Sequence, residues 1–171
     1  MQRLHAFLAT LRDLFSTEEP ERESPGELIH RSVSGPHIKI VALTVSERER
    51  DILSRAGASQ GWSIQFAETC CQAWDLLHRH GVPIFLCDRE FPNTEWRHIL
   101  HMMSSGPEPV YAILLSRVAD DYLWGEVIRH GGHDLLATPL CQADVLRAIR
   151  LGWSYWSSSM RLPPMPIKHY L

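Results

Sequence analysis

The chain is short of the features that mark several large classes of protein. Its four cysteines, Cys70, Cys71, Cys87 and Cys141, form no CxxC pair, so neither a zinc ribbon nor a thioredoxin-type motif can be drawn from them. Adjacent Cys70 and Cys71 cannot readily bridge within a helix, and Cys87 lies in an apolar run. Reduced, mostly buried thiols are the expectation. No run of ~18 apolar residues occurs, so no apolar membrane-spanning helix is expected. The first residues, MQRLHAFLATLRDLF, carry Arg3, Arg12 and Asp13 and lack the apolar block and cleavage site of a signal peptide, which points to the cytoplasm. An excess of one charge is missing too: the formal net charge is -3 over 171 residues, and no broad nucleic-acid face is indicated. Absent as well are a P-loop, GxGxxG, GxSxG and HExxH, which argues against NTPase, dinucleotide-binding, hydrolase and zinc-protease readings. No long-period repeat is visible.

What the chain has is an ordinary apolar fraction, 44%, enough for one continuous core. Residues 2–15 place Leu4, Leu8, Leu11 and Phe15 at helical spacing, a short amphipathic helix that suits packing on its own domain or docking on a partner, including a second copy. STEEPERESPGEL follows as a linker, with the domain boundary near residues 34–36. From Ile38 the rhythm changes. IKIVALTV, WSIQFAE, VPIFLC, PVYAILLS and HDLLAT read as strands, and each is followed by a helical pattern. Ser46 is the expected cap of the first helix, with Glu49 completing a capping box and the helix stopping at Ala56–Gly57. Thr69 caps the second helix. The third runs from about Thr94 to Met103, the fourth from about Asp120 to His130, and the last starts near Gln142. The expected organisation is an N-terminal helix and linker over 1–35, one domain over 36–157 and a proline-rich tail over 158–171. LPPMP within that tail suits a polyproline ligand or a plain extended end. Strands alternating with helices predict an α/β fold: a five-stranded parallel sheet in a three-layer sandwich.

Sites in open parallel sheets form beyond the carboxyl ends of the strands. The residues there are Thr44, Val45 and Ser46 after the first strand, Asp88 to Pro92 after the third, Ser116 after the fourth and Thr138–Pro139 after the fifth. The segments FLCDREFPNTEW, LLSRVADD and GGHDLLATP, in that order, resemble the bacterial response-regulator receivers. In that family an acceptor aspartate ends the third strand with a proline four residues on, a Ser or Thr hydroxyl ends the fourth, and Gly-Ala-x-Asp-Tyr-Leu-x-Lys-Pro spans the fifth. The resemblance covers about residues 38–156 and implies a receiver, or flavodoxin-like, fold. It makes Asp88 the phosphoacceptor and a magnesium ligand, and Ser116 the phosphoryl-contacting hydroxyl.

The sequence also departs from the family's pattern. The metal-binding acidic pair of receivers falls on Thr44 and Val45, their lysine on Thr138 and their switch aromatic on Leu135. Phosphoryl transfer to a carboxylate needs positive charge, and Mg²⁺ needs hard oxygen ligands. The absence of each such charged group removes roughly 2–4 kcal/mol of transition-state stabilisation. By sequence, Glu47 and Glu90 are the nearby carboxylates, and Glu90 is a candidate replacement ligand. Asp88 and Ser116 also suit purely local roles, as a turn residue and a helix cap.

Histidine pairs His98–His101 and His130–His133 sit three apart but lack a third ligand. The six tryptophans are scattered over different elements and read as packing, with Tyr122 and Trp124 placed where receivers meet partners. The expectation is therefore a stand-alone atypical receiver, a binding module and not an enzyme, in two-component or phosphorelay signalling. It would act through a signalling protein partner such as a histidine kinase, with phosphorylation at Asp88 weak or lost and Mg²⁺ weakly held at most. Two other readings stand beside it: a conventional phosphorylated receiver, and a flavodoxin-like enzyme or cofactor binder sharing the topology.

Overall fold

A computed structural model describes residues 36–161. The expected helix at 2–15, the linker after it and residues 162–171 of the expected tail lie outside the described residues. Five strands, β1 (Lys39–Leu43), β2 (Ser63–Phe66), β3 (Ile84–Asp88), β4 (Tyr111–Ser116) and β5 (Asp134–Ala137), alternate with α1 (Glu47–Gln60), α2 (Cys70–Arg79), α3 (Trp96–Ser104), α4 (Asp121–Arg129) and α5 (Gln142–Arg161). Every strand pair is parallel, in the order β2-β1-β3-β4-β5. The order reverses direction between β1 and β3, the place where such sheets open a crevice at their carboxyl edge.

Alternation along the strands builds two apolar layers. Val41, Leu43, Phe85, Cys87, Ala112 and Leu114 face one side, against Leu77 of α2, Ile99, Leu100 and Met103 of α3, and Leu123 and Val127 of α4. Ile40, Ala42, Ile84, Leu86, Ile113 and Leu115 face the other, against Leu53 and Ala56 of α1 and Val145, Ala148 and Ile149 of α5. The central strands β3 and β4 are therefore buried on both faces, which is why they read as unbroken apolar runs. Edge strands β2 and β5 are only partly covered.

Helix starts follow local chemistry. Ser46, Thr69 and Asp120 accept from the backbone N–H groups of Glu49, Gln72 and Leu123 respectively, each three residues on. For α3 the cap is Glu95, one residue beyond the expected start, because the Thr94 hydroxyl instead donates to the Phe91 carbonyl. Three expectations need correction. Helix α1 passes Gly57 and ends at Gly61, whose φ of 68° makes the left-handed stop; Gly57 is there for space, since a Cβ on it would lie 3.0 Å from Ile64 Cδ1. Helix α5 continues past residue 157 to Arg161, so the start of the expected tail is helical. Cys71 and Cys141 are exposed and Cys70 half-buried, leaving Cys87 as the buried thiol; all four are free.

Helix α4 is tied to α3 through Glu126, a buried carboxylate that accepts from Arg97 Nε at 3.2 Å and also pairs with Arg129. Its Tyr122 and Ile128 face outward, Tyr122 with 76% of its surface exposed. Of the tryptophans, Trp96 is buried, the other five are half-buried, and Trp153 stacks on Trp156. No described helix is long and apolar enough to cross a membrane.

The α3–β4 connection is packed tightly enough to test. A Cβ at Gly106 would overlap the His78 ring, which itself lies 4.0 Å from the Trp74 ring. Gly106→Ala should cost about 1–3 kcal/mol by overpacking. In a His78→Ala background the same change should cost much less, and urea denaturation of the four proteins in that cycle measures the difference.

Candidate functional site

The strand ends converge on an open cleft of about 430 Å³, lined by residues from α1 and from the ends of β3, β4 and β5. Asp88, the last residue of β3, is one of them. One of its carboxylate oxygens, Oδ2, accepts from the Thr44 hydroxyl at 3.2 Å, and the other, Oδ1, accepts from the Glu90 N–H at 3.0 Å. The second bond is the local turn expected for an aspartate two residues ahead of an amide. Thr44 is itself fully buried and fixed. Its Oγ1 accepts from Ser46 N–H at 3.2 Å, and its carbonyl accepts from Arg50 Nε at 3.0 Å, with that guanidinium over the Phe66 ring.

Ser116 is also buried, and its Oγ accepts from the Val118 N–H at 3.2 Å and from Arg89 Nη1 at 3.5 Å. Its carbonyl accepts from Thr138 N–H at 2.9 Å, which brings the end of β5 to the cleft; the Thr138–Pro139 peptide is cis. Asp88, Ser116 and Thr138 are thus brought together in one cleft. Val45 points away into solvent with 55% exposure, and Leu135 packs against the apolar layer under α4.

Three features differ from the expectation. Glu49 does not close a capping box. It is buried, and its Oε2 accepts from Leu140 N–H at 3.0 Å, joining α1 to the loop after β5. The amide it was expected to satisfy, Ser46 N–H, is taken by Thr44 instead. Glu49 also lines the cleft, whereas Glu47 does not. Glu90 is engaged by the Arg117 guanidinium, which raises the pKa of that arginine, so its carboxylate is not turned to Asp88 as a replacement ligand. Arginines were not anticipated here at all, yet Arg48 and Arg117 line the cleft and Arg89 crosses from β3 to Ser116.

The donor set does not fit magnesium. That ion requires near-octahedral hard oxygen ligands, and carboxylates usually supply the charge. Here each Asp88 oxygen accepts one bond, from Thr44 and from the Glu90 N–H, and the position of the acidic pair offers a hydroxyl and an isopropyl group in place of carboxylates. Among the described residues no group of three or more His, Cys, Asp or Glu side chains could hold a metal. His98 and His101 are exposed, and His133 is engaged with the backbone of β4. Next to Asp88, the Cys87 thiol is fully buried and its pKa is pushed well up, first by burial and then by the nearby Cys70 and Asp88, so it stays a thiol and donates to the Asp88 carbonyl at 3.5 Å.

The bond from Leu140 to Glu49 makes a direct prediction. Glu49→Ala leaves the buried Leu140 N–H without an acceptor and should destabilise the domain by about 1.5–3 kcal/mol, the scale of a hydrogen bond to a charged group. Glu49→Gln keeps an accepting oxygen and should lose less. Chemical denaturation of both variants measures the order, and equal losses would mean that the charge, not the acceptor, matters.

Among known proteins, no family profile and no curated sequence matches this chain. Solved structures do. The signal receiver domain of a putative LuxO repressor protein from Vibrio parahaemolyticus superposes with a TM-score of 0.65 at 14% identity, covering 73% of this chain and 96% of that one. The signal receiver domain of an HD domain-containing protein from Pseudomonas fluorescens Pf-5 gives 0.66 at 20% identity, over 78% and 100%. A CheY-like response-regulator receiver from Methanospirillum hungatei JF-1 gives 0.64 at 14% identity, over 72% and 99%. Such identities carry the fold alone, and the sheet order, the strand-end cleft and these three superpositions agree on it: residues 36–161 have the fold of a response-regulator receiver domain.

Proposed function

We propose that this protein is an atypical receiver-like module of two-component or phosphorelay signalling that acts by binding a partner protein, with phosphorylation at Asp88 weak or lost. The observation that carries this reading is the bond from the Thr44 hydroxyl to Asp88 Oδ2. At the end of β1, where receivers place carboxylates for a metal ion, this chain places a neutral donor that holds the acceptor oxygen. Thr138 adds no charge where the family has lysine. Ser116 keeps the position of the phosphoryl-contacting hydroxyl, its oxygen accepting from Arg89 and Val118 while its O–H stays available to donate. Of the cleft arginines, Arg117 is neutralised by Glu90. With Val45 and Leu135 also departing from the pattern, the transition-state stabilisation that receivers assemble is largely missing.

Binding is supported by the outward surface around α4. Val118, Tyr122 and Ile128 leave large apolar side chains in water, and Tyr122 does so most fully. Apolar surface held out in this way suits a protein partner. The partner class is a signalling protein such as a histidine kinase, with no nucleic acid and no catalytic turnover in the reading.

Intact-protein mass after incubation with acetyl phosphate and Mg²⁺ tests it, with Asp88→Asn run in parallel. The native chain should gain no phosphoryl adduct. An adduct on the native chain that Asp88→Asn lacks would overturn the proposal and make this a phosphorylated switch. The converse experiment restores charge: Thr44→Asp combined with Thr138→Lys removes the competing hydroxyl and adds a metal ligand and a cation. That double variant should gain a Mg²⁺-dependent adduct at Asp88, which chelation of the metal abolishes.

A further inference from the structure

At the end of the sheet opposite the cleft, one strand is completed by a side chain. Pairing of β4 with β5 begins at Ile113↔Asp134. Immediately before it, Ala112 uses both backbone groups on residue 133: its carbonyl accepts from His133 N–H at 2.7 Å, and its N–H donates to His133 Nδ1 at 3.2 Å. The imidazole thus fills the place that a strand carbonyl would fill. Accepting that bond requires Nδ1 to be bare, so the ring is neutral with its proton on Nε2. A second proton would set two N–H groups against each other and remove the acceptor of the Ala112 amide, on a fully buried residue.

The ring is flanked by aromatic groups, with Tyr111 of β4 tilted against it at 4.8 Å and Tyr155 of α5 edge-on at 5.1 Å between centroids. The titratable groups around it are these two phenols and Asp134 of β5, whose carboxyl is itself pushed up by burial and sees Arg147 and Asp144 of α5. Burial also pushes the Tyr111 hydroxyl far up, so that phenol stays neutral beside the imidazole. On the α4 side the nearest histidine, His130, is turned to Trp96 and Glu126. No carboxylate among the described residues bonds to His133, and burial alone lowers its pKa from 6.5.

We propose that His133 is a proton-operated pin: its neutral ring holds the Ala112 amide and closes the corner between α4 and β5, and protonation at Nδ1 releases that corner. The direction of the pH effect follows from which form the folded state prefers. A histidine whose folded pKa lies below its unfolded value adds stability that is complete above about 6.5 and is lost as the pH falls through the lower, folded value. The corner is suited to local release. The residues before His133 are Gly131, in the left-handed region at φ 85°, and Gly132, and β5 is only four residues long. The cleft lies at the far end of β4, with Ser116 four residues and about 13 Å along the strand from Ala112, so the two regions can respond separately.

Amide hydrogen exchange on the full chain tests the pin. Two amides are compared between pH 7.5 and 5, each corrected for its intrinsic rate: Ala112, bonded to the imidazole, and Thr138, bonded to the Ser116 carbonyl at the cleft. Ala112 protection should fall about tenfold per pH unit once the imidazole begins to titrate, as for release linked to one proton, while Thr138 protection holds. In His133→Asn, whose amide oxygen accepts without titrating, Ala112 protection should be independent of pH. The proposal is overturned if native Ala112 protection is flat, if Ala112 and Thr138 fall together, or if the asparagine variant keeps the native pH dependence. Should that variant fail to fold, the ¹⁵N titration of the native His133 ring decides. A midpoint below 6.5 that coincides with the loss of Ala112 protection supports the pin, and one displaced from it by a full unit overturns it.

Discussion

Burying β3 and β4 on both faces is the constraint from which the rest follows. With Phe85 and Leu114 packed under α2, α3 and α4, and Ile84 and Ile113 packed under α1 and α5, the Tyr111 phenol and the Cys87 thiol are the only polar groups along either strand before its last residue. Those last residues are Asp88 and Ser116, and they emerge side by side because the parallel register sets Asp88 opposite Leu115. The chemistry of the domain is pushed to the strand ends by the requirement that nothing polar lie between the layers without a partner. A cleft at the carboxyl edge is what that requirement leaves.

Within the cleft, charge is arranged to be satisfied inside the protein. Asp88 is held by a hydroxyl and a backbone amide, Glu49 by the Leu140 amide, and Glu90 by Arg117. Together these bonds join α1, β3, β4 and the loop after β5 at one edge of the sheet.

How far this was legible in the sequence depends on the range of each interaction. The caps at Ser46, Thr69 and Asp120 were readable because donor and acceptor are three residues apart on the chain. The strands were readable because burial on two faces demands continuous apolar runs. Asp88, Ser116 and Thr138 were placed at strand ends by pattern, and the fold brings them into one cleft. What could not be read was long-range. Glu49 has the spacing of a capping box, and only the fold reveals that its partner lies 91 residues away. Arg89 and Arg117 carry no local signal, since an arginine after a strand is ordinary until its target is known. Gly57 looked like a helix stop because the same residue type serves both a left-handed turn and a close approach, and the second depends on Ile64 across the domain.

Helix α4 combines these themes in a different way. Its inward face joins the apolar packing of Leu123 and Val127 to the Glu126 carboxylate, which is gripped by Arg97 of the neighbouring helix and by its own Arg129. Apolar packing holds the helix by the fit of its side chains, which carries no directional bond. Hydrogen-bonded ion pairs are directional, and Arg97 Nε meets Glu126 at 3.2 Å in this setting of the helix. The buried carboxylate therefore acts as a key in a shaft. It sets the compass bearing at which Tyr122 and Ile128 look outward, so a surface of exposed rings and methyls is aimed by a charge that no visitor to that surface would touch.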